Sequence, residues 1–395
     1  MQNKEHIEKA LMMAKKVKKK SKWKAPLIVM VIILVLFGGA WAVFARYYNL
    51  SNFVKDEEVS KQAEENSEEV EAEDNGLTSE EEEVMRIEAE SALEDTALPE
   101  NENVYNILLI GVDRRDRSWS GNSDSMILLS INHNTKSMHM ISFMRDLYAD
   151  IPGKGVHKLN AACAYGGGPL LVQTIEQNYK VNIDNYASVD FPAMIKIIDY
   201  AGGVELTLSE REVQVANDYI RVMCEEQHED FSKHKLPGPG TYNCDGFQAV
   251  GHARNRFIGN SDYQRTERQR TVLTKIMERV KAMSVTEMNR FVENVLPLVT
   301  HNVESSTMLD LISKAPSILK EYSLGTSRVP YDGMFSSRGE ILYPDMKETI
   351  QRLQDTINAD GLAEWEKKSG DAEEGSNDDI QPDIGDLKED DGKPD

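Results

Sequence analysis

Three cysteines and eight histidines in 395 residues leave little for thiol or soft-metal chemistry. Cys163, Cys224 and Cys244 form no CxxC pair, which argues against a tetrahedral zinc site. His133, His139, His157, His228, His234 and His252 show no HExxH or other paired ligand spacing and read as structural or exposed. There is no P-loop, no GxGxxG and no usable Ser-His-Asp order. Gly166-Gly167-Gly168 runs into Pro169, which points to a turn and away from a phosphate cradle. Surplus positive charge is also missing. The net charge is -22, and it gathers in residues 51–100 and in the tail from Ser369, leaving the middle of the chain near neutral. Acidity of that kind belongs to flanking segments, and nucleic acid is excluded as a partner.

Long apolar runs are scarce too, with one exception. Pro26 to Ala45 carries no charge, and about 20 apolar residues span a bilayer. Trp23, Trp41, Tyr47 and Tyr48 stand near its ends, and a lysine cluster from Lys15 to Lys24 precedes it. The positive-inside rule then puts the N-terminus in the cytoplasm and the rest outside the cell. The expected organisation is a basic cytoplasmic segment (1–25), a transmembrane helix (26–45) and an acidic, self-repelling extended spacer (46–102). A folded domain (103–360) and an acidic disordered tail (361–395) complete it. In an exported domain Cys224 and Cys244 have two readings, a disulfide or two free thiols.

Within the folded region, Val104–Val112, Ser125–Asn132 and Ser137–Phe143 read as strands, the last two as a hairpin. A helix opens near Lys158-Leu159-Asn160-Ala161-Ala162 and is broken at Gly166–Pro169. Tyr186–Phe191 reads as a strand, Ala193–Ala201 as a helix and Val204–Leu208 as a further strand. Residues 217–243 read as a polar insertion punctuated by Pro and Gly. Helices dominate from there on. Alternating strands and helices predict an α/β/α sandwich around a central mixed sheet.

Chemistry gathers in two places. Arg254 to Gln269 holds Arg254, Arg256, Arg265 and Arg268. Ser261 and Gln264 fit a capping box, so a helix starts near Asp262. Its apolar stripe of Val272, Leu273, Ile276 and Val280, stepped backward, puts Gln269 and Arg265 on the inward face. Inward guanidinium groups need partners that match their fork, and a phosphate or a carboxylate network each qualifies. The second place is a set of strand ends. Asp113 ends the first strand, Asp124 precedes the second and Arg145-Asp146 follows the third. Two carboxylates without thiol or imidazole suit Mg²⁺, with Mn²⁺ as a substitute of the same kind. Several arginines suit a diphosphate.

These pieces together resemble the LytR-CpsA-Psr family from about Asn103 to about Ile357. The likeness rests on Leu109-Ile110-Gly111-Val112-Asp113, Gly121-Asn122-Ser123-Asp124-Ser125, Ser142-Phe143-Met144-Arg145-Asp146, Lys158-Leu159-Asn160-Ala161-Ala162, Ala201-Gly202-Gly203-Val204 and Arg254 to Gln269. It implies a membrane-anchored phosphotransferase of the Gram-positive envelope. Such an enzyme moves a glycan-1-phosphate from a polyprenyl-pyrophosphate carrier to peptidoglycan, attaching teichoic acid or capsular polysaccharide. Asp113 and Asp124 then match the acidic pair that would bind Mg²⁺, with Asp124 the better candidate for Mg²⁺ ligand or activating base. Arg145, Arg254, Arg256 and Arg265 match the pyrophosphate clamp, Gln269 its polar neighbour and Asp262 the acid that orients the arginines. Ile195, Ile198, Val272 and Ile276 are candidates to line a prenyl pocket. Two positions depart from the family pattern: Asn122 stands where Arg is usual, and Met144 where Pro is frequent. Arg115 or Arg117 could supply the charge absent at position 122. Two further functions stay open, a non-catalytic envelope protein that binds lipid-linked precursors and a pyrophosphate hydrolase.

Overall fold

The computed structural model describes residues 44–66, 75–94, 96–99, 101–113, 121–258 and 262–358. The basic segment, most of the expected membrane span and the acidic tail lie outside the described residues. So do Arg115 and Arg117. Among the described residues no helix is long and apolar enough to cross a membrane.

The centre is a mixed seven-stranded sheet. Its strands are β1 (Asn52–Phe53), β2 (Val104–Asp113), β3 (Asn122–Asn132), β4 (Ser137–Phe143), β7 (Asn185–Asp190), β10 (Thr300–His301) and β11 (Ser323–Val329), in the order β1-β10-β7-β2-β3-β4-β11, while β5 (Tyr148–Ile151) and β6 (Gly155–Lys158) pair in a ribbon of their own. Burial alternates strictly along β2. Val104, Leu108, Ile110 and Val112 face a large apolar cluster that also takes Leu171, Ile175 and Tyr179 of α3 (Ala161–Tyr179). Leu353 and Ile357 of α10 (Met346–Asn358) close that layer. The opposite face carries Tyr105 and Leu129, which pack with Ile318 of α9 (Ser305–Glu321) and Met277 of α7 (Asp262–Ala282). The expected sandwich around a mixed sheet is therefore present.

The segment expected as an extended spacer differs in its described parts. Asn52–Phe53 pairs with Thr300–His301 at the sheet edge. Asp56–Asn66 forms α1 against α3, and Ser79–Leu93 forms α2 against α10. Charge repulsion does not prevent α2, because its acids are solvated on one face while Met85 and Ala89 are buried on the other. Thr78 caps it, its hydroxyl accepting from the Glu81 backbone N–H. Just upstream, Arg46 ion-pairs with Glu293 at 2.9 Å, on the helix α8 (Val285–Val295).

Three further expectations change. The glycine run kinks α3 without ending it, since only Gly166 and Gly167 leave helical geometry. Val204–Leu208 (β8) leaves the main sheet and pairs with Gly240–Cys244 (β9) in a separate ribbon. Residues 217–227 belong to the helix α5 (Glu210–Gln227), capped by a reciprocal Ser209–Glu212 pair. Its inward stripe is Val213, Ala216, Ile220 and Met223. These side chains join α4 (Phe191–Tyr200) and α6 (Gly246–Ala253) in a second apolar cluster. Cys224 and Cys244 are buried in that cluster as free thiols, so the disulfide reading falls.

Candidate functional site

The topology decides where the site lies. β4 and β7 run parallel to β2, and β3 runs antiparallel to it. The C-terminal ends of β2, β4 and β7 and the N-terminal end of β3 therefore share one edge of the sheet. Binding sites of open α/β sheets form at such edges. A cavity of about 690 Å³ opens there.

Asp113 is paired with Asn122 across the β2–β3 ladder, and both line the cavity. Asp124 arrives by a local irregularity. Gly111 pairs with Ser125 and Val112 with Ser123, so Asp124 is the extra residue of a β-bulge. Bulges bend a strand and re-aim its side chains, and this one turns Asp124 into the cavity.

Arg145 follows β4 and is held by three carboxylates. Its guanidinium lies 3.5 Å from Asp124, 3.4 Å from Asp146 and 3.2 Å from Asp262. Burial opposes its charge, but the three acids outweigh burial and raise its pKa. Burial pushes Asp146 up to about 6, against the pull of Arg145 and aided by a hydrogen bond with Asp262. Asp262 opens α7 and also holds Arg265 at 3.4 Å. Its own pKa is lowered, because Arg265, Arg145 and the Asp146 hydrogen bond together overcome the burial that works against ionisation.

Arg265 is 4% exposed, and its Nε–H finds no hydrogen-bond partner among the described residues. An orphaned buried donor facing a cavity is a place where an anion fits. One turn along, the Gln269 side-chain amide donates to the Asp124 carbonyl at 3.4 Å. Arg254 and Arg256, just past α6, line the cavity without a carboxylate partner among the described residues. Arg254 instead lies 4.1 Å from the ring centroid of Phe191 and 5.3 Å from that of Tyr219.

Every expected polar site residue is thus brought together. Asp113, Asp124, Arg145, Arg254, Arg256, Arg265 and Gln269 line one cavity, and Asp262 braces two of its arginines. The apolar four stand apart. Ile195 and Ile198 of α4 and Val272 and Ile276 of α7 converge in the second apolar cluster, all buried, and none lines the polar cavity. Lys158, Asn160, Phe191 and Tyr219 line the cavity without having been singled out as site residues. Lys158 and Asn160 sat inside a recognised motif. Tyr219 gives no such signal, because it lies in a stretch whose sequence reads as a polar insertion.

The model of the LytR_cpsA_psr family matches residues 50–359. The chain belongs to the LytR-CpsA-Psr family. It is similar to the protein named biofilm regulatory protein A of Streptococcus mutans serotype c, 31% identical over 59% of this chain and 59% of that one. It is 34% identical, over 57% of this chain and 65% of the other, to the polyisoprenyl-teichoic acid–peptidoglycan teichoic acid transferase TagU of Oceanobacillus iheyensis. The chain thus spans about two thirds or less of the length of these relatives. Among solved LytR-CpsA-Psr structures, TagT bound to LI-WTA superposes with a TM-score of 0.51 at 25% identity, covering 66% of this chain and 91% of that one.

Proposed function

We propose that the chain is a membrane-anchored phosphotransferase that moves a glycan-1-phosphate from a polyprenyl-pyrophosphate carrier to a peptidoglycan hydroxyl. One observation carries this reading. Two cations without carboxylate partners among the described residues, Arg254 and Arg256, line one cavity with Asp113, Asp124 and the buried Arg265. A purely structural ion network would pair its arginines, as Arg145 is paired. The names of the teichoic acid transferase relatives support the same class of reaction.

In this reading the arginines hold the four non-bridging oxygens of the diphosphate, which share its two negative charges, and Arg145 and Arg265 are kept in register by Asp262. The acceptor hydroxyl attacks the sugar-linked phosphorus. Its P–O bond forms while the bond to the bridging oxygen breaks, and polyprenyl phosphate leaves. The hydroxyl proton passes to the Asp124 carboxylate. Charge that grows on the leaving oxygen is stabilised by the fixed guanidinium groups.

The cavity's donor set fits Mg²⁺. Asp113 and Asp124 contribute carboxylates and Asn122 a carboxamide, with no thiol or imidazole on the wall. No cluster of three or more His, Cys, Asp or Glu able to hold a metal occurs among the described residues. Two carboxylates are what Mg²⁺ takes when phosphate oxygens and water complete its shell. When bound, it would neutralise phosphate charge beside the arginines. The prenyl tail is assigned to the second apolar cluster. Ile195, Ile198, Val272 and Ile276 are 0–8% exposed there, so the elements packed around them must separate to admit it. The apolar run at 26–45 would anchor the domain on the outer face of the membrane.

The test is product analysis with a prenyl-pyrophosphate-linked glycan, with and without a glycan acceptor and Mg²⁺. Acceptor-dependent release of prenyl phosphate supports transfer. Release to water alone identifies a hydrolase, and binding without release identifies a precursor-binding protein. Asp124→Ala is expected to abolish transfer while the protein stays folded. An Asp124→Ala chain that restored wall polymer to a depleted strain as well as wild type would remove the mechanism.

A further inference from the structure

One feature in contact with the cavity wall is not used by phosphoryl transfer. Phe257 is 64% exposed, an unusual position for a large aromatic side chain. It is also held in place. Its backbone N–H donates to the Asn255 side chain at 3.1 Å, and Asn255 is fully buried. Arg268 donates to the Asn255 carbonyl at 3.0 Å and pairs with Glu212 at 3.3 Å. An exposed ring that is fixed beforehand makes a binding surface at little entropic cost.

Phe257 stacks on Tyr219, with ring centroids 6.4 Å apart and planes 23° apart. Tyr219 in turn meets Arg254, whose guanidinium also lies over the Phe191 ring. Arg256 lies 5.5 Å from the Phe257 ring centroid. Phe191, Arg254, Tyr219 and Arg256 line the anion site, and Phe257, in contact with two of them, carries the series out to solvent.

We propose that Tyr219 and Phe257 form the subsite for the first sugar ring of the glycan, the ring bonded to the pyrophosphate. This inference rests on the pyrophosphate reading above. A sugar ring attached to a phosphate held by Arg254 lies one bond beyond the anion, which is where the platform stands. A pyranose offers an apolar C–H face to an aromatic ring and hydroxyls to a guanidinium. Both kinds of group are present here. A hydrocarbon tail fits worse, because it would strip water from Arg254 and Arg256 without replacing their hydrogen bonds.

The experiment measures binding of the full chain in detergent to two ligands. One is farnesyl pyrophosphate, and the other is the same lipid carrying an N-acetylhexosamine on its pyrophosphate. Phe257→Ala is expected to weaken the sugar-bearing ligand about ten-fold and the sugar-free ligand less than about two-fold. Phe257→Trp is expected to restore the difference. Tyr219→Phe keeps the ring and should keep the sugar preference. Equal losses for both ligands, or no loss for either, overturn the sugar subsite while leaving the pyrophosphate site intact. A wild-type chain that binds neither ligand overturns both readings.

Discussion

Asp262 shows how much one side chain can organise. It is 8% exposed and sits between Arg145 at 3.2 Å and Arg265 at 3.4 Å. Removing its charge leaves Arg265 buried beside another cation. Asp262→Asn is expected to lower stability by roughly 3 kcal/mol, read from urea unfolding, because an unpaired buried charge is left behind. An unchanged midpoint would mean that Asp124 and Asp146 suffice for both arginines. Arg265→Lys keeps the charge and loses the planar fork. Transfer should fall on the order of a hundred-fold with the fold intact, measured as product formation at saturating donor. At this scale the candidate site was largely legible. Acidic and arginine residues at strand ends mark a site because that is where a sheet leaves polar side chains unpaired. Tyr219 and Phe257 were not legible. An aromatic residue reads as core in any sequence, and only its exposure distinguishes it.

At the scale of elements, local patterns placed most strands and helices but not their neighbours. Leu108 and Ile110 predict a strand by alternation, and the strand is there. Val204–Leu208 carries the same signal and pairs outside the main sheet, a choice that depends on what β9 offers and not on β8 itself. The bulge at Asp124 was invisible for a similar reason, since it is a relation between two strands. Helix packing is tight at one point. A Cβ on Gly246 would lie 2.1 Å from the Ile195 carbonyl oxygen, where α6 crosses α4. Gly246→Ala is expected to destabilise the protein by about 2 kcal/mol or more, since backbone must shift. In α2, Met85 is 1% exposed within the main apolar cluster. Met85→Ala should cost about 3 kcal/mol in thermal or urea unfolding. A solvated spacer would show no loss, so this substitution tests whether residues 79–93 belong to the domain.

Across the whole molecule, buried titratable groups tie stability to pH. Burial holds His252 down at about 4, with Glu212 opposing and Arg268 assisting the shift. In the unfolded chain the same imidazole titrates near 6.5. Between these values the unfolded chain binds a proton that the folded chain refuses. The histidine's contribution to stability is therefore present above the window and lost as pH falls through it. His252→Asn removes that difference. Its stability relative to wild type should rise by about 1.4 kcal/mol per pH unit as pH drops from 6.5 toward 4. Urea midpoints for both proteins across that range decide the matter, and parallel curves would mean that His252 is protonated when folded.

The chain by itself determined the periodicities, the caps, the single apolar run and the residue types at the strand ends. These depend on neighbours within a few positions, where backbone geometry and solvation act directly. Tertiary structure decided what local sequence cannot encode. It brought Gln269 to the Asp124 carbonyl across 145 residues, set Phe257 on Tyr219, and buried one face of α2 despite its charge. Such contacts require distant segments to meet, and each exists because many residues elsewhere supply the burial that holds both segments in place.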